Sequence, residues 1–125
     1  MDMKSIKRFM LAAFVCTSTS LLAGEVRIID VKVVCQVDCT FSVTLGHADT
    51  GWEHYANQWD VVGLDGTLIK SRVLYHPHVD EQPFTRSLSG VSIEKTVKQV
   101  KVRAKDLKHG YSLKEFLVDI PEWNE

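Results

Sequence analysis

Beyond its first two dozen residues the chain has no apolar run approaching the roughly 20 residues that a membrane-spanning helix requires. It also lacks a block of like charge: 15 basic residues stand against 16 acidic ones, for a net charge of −1. Lys4, Lys7 and Arg8 all precede residue 24 with only Asp2 against them, so the remainder is more acidic still. A mildly acidic domain is poorly matched to a phosphate backbone or an anionic lipid surface, which removes nucleic acid from the expected partners. Catalytic signatures are missing as well: there is no nucleophile elbow, no glycine-rich phosphate loop and no helix carrying paired metal-ligand histidines. Ser87 and Ser89, near His and Asp residues, leave a hydrolase only as a remote alternative, and the expectation is a protein that is not an enzyme.

What is present begins with an export signal. Lys4, Lys7 and Arg8 precede an apolar run from Phe9 to Val15, followed by a Thr/Ser stretch and Leu21-Leu22-Ala23. That charged, apolar, small-residue order is the pattern of a cleavable signal peptide over 1–23, leaving 24–125 as one domain and no stable membrane anchor. Cys16 follows Phe14 and Val15 where a lipidated cysteine normally follows a small residue, so lipidation is not expected. The expected location is periplasmic or secreted.

The rest of the chain alternates apolar and polar residues in short runs. In 37–47, Val37, Cys39, Phe41, Val43, Leu45 and His47 share one parity, and Thr40, Ser42 and Thr44 take the other. This predicts strands with one buried and one wet face. Seven such runs can be drawn, at 25–35, 37–47, 57–64, 67–75, 84–93, 96–105 and 111–120, and no amphipathic helical stretch competes with them. Asp65-Gly66 predicts a tight hairpin turn between the third and fourth. Gly90 predicts a bulge in the fifth, because Leu88 and then Val91 and Ile93 are apolar on switched parity. Seven short strands with Trp59 in the third fit an all-β, seven-stranded immunoglobulin or fibronectin type III-like sandwich, with Trp59 in its core.

In such a sandwich the connections at 48–56, 76–83 and 106–110 fall at one end. All five histidines, His47, His54, His76, His78 and His109, would gather there, together with Trp52, Tyr55 and Arg86. Two readings of this end follow. Trp52, His54, Tyr55 and Arg86 would engage a protein, peptide or small-molecule ligand, since amphipathic rings and the guanidinium fork supply contact area and anion recognition. Alternatively, His76-Pro77-His78 would clasp zinc or copper, with His47, His54, His109, Asp80 or Glu81 completing the site, because residues two apart in an extended segment point the same way. A network that merely fixes two long loops is the third possibility, with Asp49-Thr50-Gly51 as side-chain-capped turn chemistry and Arg86 turned back onto Asp80 and Glu81.

Cys35 and Cys39 flank the connection between the first two runs, at the opposite end. Both lie on the apolar parity, so a hairpin disulfide is expected in an oxidising compartment, ahead of a thiolate metal pair. The segments HADTGWEHYA at 47–56 and HPHVDEQPFTRSL at 76–88 resemble those of a family of small, exported, functionally uncharacterised bacterial proteins. The resemblance implies export but no activity, substrate or cofactor, and the cysteine pair lies outside its motifs.

Overall fold

The computed structural model describes residues 24–124. The expected signal peptide at 1–23 lies outside them. Eight strands follow one another without a helix among the described residues: β1 (Arg27–Cys35), β2 (Cys39–Gly46), β3 (Ala56–Val62), β4 (Leu68–Val73), β5 (Phe84–Val91), β6 (Gln99–Asp106), β7 (Gly110–Tyr111) and β8 (Phe116–Asp119). They form two antiparallel sheets, one ordered β1-β2-β5 and the other β4-β3-β6-β7, with β8 also pairing along β6.

The expected alternation explains how the sheets meet. Cys39, Phe41, Val43 and Leu45 of β2 are wholly buried, while the intervening Thr40, Ser42 and Thr44 lie on the wetter face. On that outer face the hydroxyls of Ser42 and Ser87 pair at 2.9 Å, and those of Thr44 and Thr85 at 2.7 Å, which ties β2 to β5 by cross-strand contacts. The inward side chains join Trp59 and Val61 of β3, Val100, Val102 and Ala104 of β6, and Val118 of β8 in one apolar core fed by both sheets. Burying side chains such as Phe41 and Leu45 contributes about 1.5–3 kcal/mol each. Trp59 is fully buried, as its strand position predicts.

Both expected irregularities occur. Asp65-Gly66 turns the chain between β3 and β4, with Gly66 at φ +86°, where a side chain would be strained. The loop closes through the Gly63 N–H donating to the Thr67 carbonyl at 2.8 Å. Gly90, at φ +67°, marks a register shift between Cys39↔Val91 and Phe41↔Leu88, the bulge that restores Val91 to the core. At the same end of β2 Cys35 and Cys39 are directly paired and joined by a disulfide.

The strand count differs from expectation. The run at 111–120 is two strands, β7 and β8, separated by 112–115; Ser112 still donates its N–H to the Ala104 carbonyl of β6 at 3.0 Å and its hydroxyl to the Val26 carbonyl at 2.5 Å.

Candidate functional site

Three connections meet beyond the Gly46 end of β2, and one carboxylate joins two of them. The side chain of Asp49 is completely buried. Its Oδ1 accepts the Ala56 N–H at 3.0 Å and the His47 ring Nδ1, and its Oδ2 accepts the His78 N–H at 2.7 Å. Gln82 adds a second tie, accepting the His47 N–H at 3.0 Å and donating to the His78 carbonyl at 2.9 Å. Loop backbone that has no ladder partner is thereby satisfied by side chains.

The ring of His47 is held from both sides. Nδ1 faces Asp49, while Nε2 lies 2.7 Å from the Gly24 carbonyl oxygen and 3.4 Å from Asp106 Oδ2. A neutral imidazole has one N–H and one lone pair. The N–H therefore serves either Asp49 from Nδ1 or the Gly24 carbonyl from Nε2, and the remaining lone pair faces the other oxygen.

His54 reaches the same point from the next loop. The Thr50 N–H donates to the His54 carbonyl at 3.0 Å and the His54 N–H to the Gly51 carbonyl at 3.2 Å, making a tight turn with Gly51 at φ +146°. This turn puts Trp52 outside, at 68% exposure, and His54 inside. The His54 ring meets those of His47 and His109 edge-on, with centroids 4.8 and 4.9 Å away. Its Nε2 is buried, has no hydrogen-bond partner and lies 3.6 Å from Asp106 Oδ1.

Asp106, at the end of β6, is the common neighbour of the three rings. Its Oδ1 accepts the N–H groups of Lys108 at 2.8 Å and His109 at 2.6 Å, and the His109 ring Nδ1 lies 3.1 Å from Oδ2. Burial alone would push this carboxyl up. The backbone bonds from His109 and Lys108, with the His109 ring, outweigh that effect and hold it below the usual carboxylate range, so it is a charged oxygen donor in a buried position.

One donor atom each from His47, His54 and Asp106 lies within 4.8 Å of the other two. Tetrahedral zinc with bonds of about 2.0–2.2 Å spaces its ligands about 3.3 Å apart; the two rings approach the Asp106 carboxylate at 3.4 and 3.6 Å, each by a different oxygen. Asp49 stands behind His47 where a carboxylate would fix the ring of a histidine holding a metal.

The other expected histidines form a separate group. His78 is buried, stacks on Phe84 at 3.9 Å between centroids and has Arg86 Nη2 2.9 Å from its Nε2. Burial, then the charges of Arg86 and His76, push its pKa down against the opposing pull of Asp49 and Glu81, favouring neutral imidazole with Nε2 accepting from Arg86. His76 is exposed, with its ring 4.6 Å from that of His78. His76 and His78 are thus neighbours, but the three-donor group among the described residues is formed by His47, His54 and Asp106. Arg86 turns back as expected, Nη1 donating to Glu81 Oε1 at 3.5 Å as well as to the Thr85 carbonyl. Tyr55 is half-buried and meets Trp52 edge-on at 5.9 Å. Ser87 lies on the outer face against Ser42, and the disulfide is at the far end of β2.

Sequence reasoning missed three carboxylates. Asp49 and Asp106 read as turn residues, and only the tertiary structure makes each a hub. Asp60 lies inside the apolar run Trp59-Asp60-Val61-Val62, an anomaly that was visible. Its buried carboxylate receives Ser71 Oγ at 2.6 Å, Tyr111 Oη at 2.6 Å, Gln58 Nε2 at 2.7 Å and Arg103 Nε at 2.9 Å. Burial opposes ionisation there, but these four donors hold its pKa below normal. Asp60 is a saturated structural centre.

Over 79 residues the chain is 40% identical to a protein of Halomicrobium mukohataei named "Putative lipoprotein". The match takes in 63% of this chain and 38% of the relative, so the chain spans well under half of that protein's length. No family model matches the chain. No solved structure matches it.

Proposed function

We propose that this is an exported domain of immunoglobulin or fibronectin type III-like sandwich form that binds a transition-metal ion, zinc or copper, through His47, His54 and Asp106. The observation that carries the reading is the buried, unpartnered Nε2 of His54, 3.6 Å from a buried carboxylate and beside the His47 ring. A buried polar atom without a partner costs about 1–3 kcal/mol, and a cation at this point would satisfy it together with His47 Nε2 and Asp106. Two imidazoles and a carboxylate suit either metal, leaving a further coordination position. His109, already against Asp106, is the nearest additional imidazole. Export is supported by the signal-like start of the chain and by the lipoprotein name of the relative. A periplasmic or secreted location gives the site access to external metal.

Metal content of protein purified without a histidine tag tests this. One equivalent of zinc or copper is expected, retained when His76 and His78 are both replaced by Ala and lost when His47 and His54 are. The opposite pattern, or no binding by folded protein, refutes the assignment.

A second reading has its own observation. Trp52 and Tyr75 are 68% and 74% exposed in the connections that build this end, which suits contact with a protein, peptide or small-molecule partner. On this reading the metal end also carries a recognition surface, with Trp52 and Tyr75 as its anchors.

A further inference from the structure

Gly24 is the first described residue, and it is packed into the histidine cluster. Its carbonyl oxygen is 2.7 Å from His47 Nε2. A Cβ on its Cα would stand 2.8 Å from His109 Cε1 and 3.4 Å from His54 Cε1, and its φ is +101°. Only glycine fits here, since any side chain would collide with the His109 ring in a backbone region that disfavours side chains. The Gly24 nitrogen is one bond, about 1.46 Å, from that Cα. Nitrogen and carbonyl flank the same Cα, and that carbonyl oxygen already contacts His47 Nε2. Leu21-Leu22-Ala23 immediately precedes it, with the small residue Ala23 at the expected cleavage point of the signal.

We infer that cleavage after Ala23 creates a ligand: the new α-amino group of Gly24 joins His47, His54 and Asp106 to form a copper(II) site that exists only in the processed protein. The inference rests on the metal reading above. In the cleavage, water hydrolyses the Ala23–Gly24 peptide bond, giving a carboxylate on Ala23 and an ammonium on Gly24. The ammonium releases one proton as its nitrogen lone pair binds the ion. An amide nitrogen in the uncleaved chain has no comparable lone pair, so export and metal loading are coupled through one bond. A primary amine, two imidazoles and a carboxylate form the mixed nitrogen and oxygen set that favours tetragonal copper(II), and copper(II) stands above zinc in general affinity for such donors.

The test compares two tag-free forms of the chain. One is exported through its own signal and starts at Gly24 by intact mass. The other retains Leu21-Leu22-Ala23 ahead of Gly24, displacing the amine. Loss of an outer partner alone typically costs a metal site about 10–100-fold in affinity, so the extended form should bind copper(II) at least that much more weakly. Its copper(II) electron-paramagnetic-resonance spectrum should show one fewer nitrogen donor. A processed protein that begins at lipidated Cys16 or at Glu25 overturns the inference. So do equal copper affinities and identical spectra for the two forms, which would leave the histidine and aspartate site standing. Absence of copper and zinc binding from both folded forms would instead remove the metal reading itself.

Discussion

Replacing Asp49 by Ala should be among the most damaging single changes outside the apolar core. The carboxylate is wholly buried and serves two backbone N–H groups, those of Ala56 and His78, and the His47 ring. Each buried donor left without an acceptor costs about 1–3 kcal/mol, so losing all three should cost about 3–9 kcal/mol. A domain of this size holds about 5–15 kcal/mol in all, and the variant would be marginal at physiological temperature. Asp49→Asn keeps one acceptor oxygen and should recover part of the loss. Urea unfolding followed by tryptophan fluorescence gives the difference from the midpoint, provided the slope is unchanged. Hydrogen exchange should show the Ala56 and His78 amides opening first. An Asp49→Ala protein within 0.5 kcal/mol of wild type would refute the assignment of Asp49 as the tie between the loops.

His78 should make the loop end acid-sensitive. Its pKa is lowered in the folded protein, so the unfolded chain binds more protons as pH falls through the ordinary histidine value of 6.5, and the stabilising effect of the neutral ring is lost below it. Corrected for the intrinsic exchange rate at each pH, protection in 76–83 should be weaker at pH 5.5 than at 7.5; equal protection would contradict this. Asp60 and Asp106 have the same slope at lower pH, because their lowered folded values give stability that is present above the unfolded value of 3.8 and lost as pH falls through the folded ones. Tyr111→Phe removes a hydroxyl donor to Asp60, and with the ring part-exposed it should cost about 1 kcal/mol in the same urea assay. Replacing Cys35 and Cys39 by Ser should cost about 2 kcal/mol, a small value because the closed loop is short; metal affinity at the far end of β2 should not change.

Much of the scaffold was legible because strand burial has a period of two. The parity of Phe41, Val43 and Leu45, the burial of Trp59, the Asp65-Gly66 turn and the Gly90 bulge all follow from neighbouring residues. The break between β7 and β8 did not, since apolar and polar residues keep alternating from Tyr111 to Lys114, and Ser112 is held by the Val26 carbonyl across the fold, a contact that no neighbouring residue signals. For the loop end, the histidines announced themselves by composition, but composition could not rank them. His76-Pro77-His78 has the more conspicuous spacing, yet Arg86 contacts the Nε2 of His78, while His47 and His54 converge with an aspartate that looked like a turn residue. Asp60 shows the reverse case: a charge inside an apolar strand run is a local signal, and its four donors explain how that charge is buried.

The most direct test of the metal assignment is a zinc and copper titration of tag-free His54→Ala beside wild type, with folding of both verified by near-ultraviolet circular dichroism. The wild-type protein should bind one equivalent, and the folded variant should lose that binding because the unpartnered Nε2 has been removed. Equal stoichiometry and affinity in the two proteins would contradict a site at His47, His54 and Asp106.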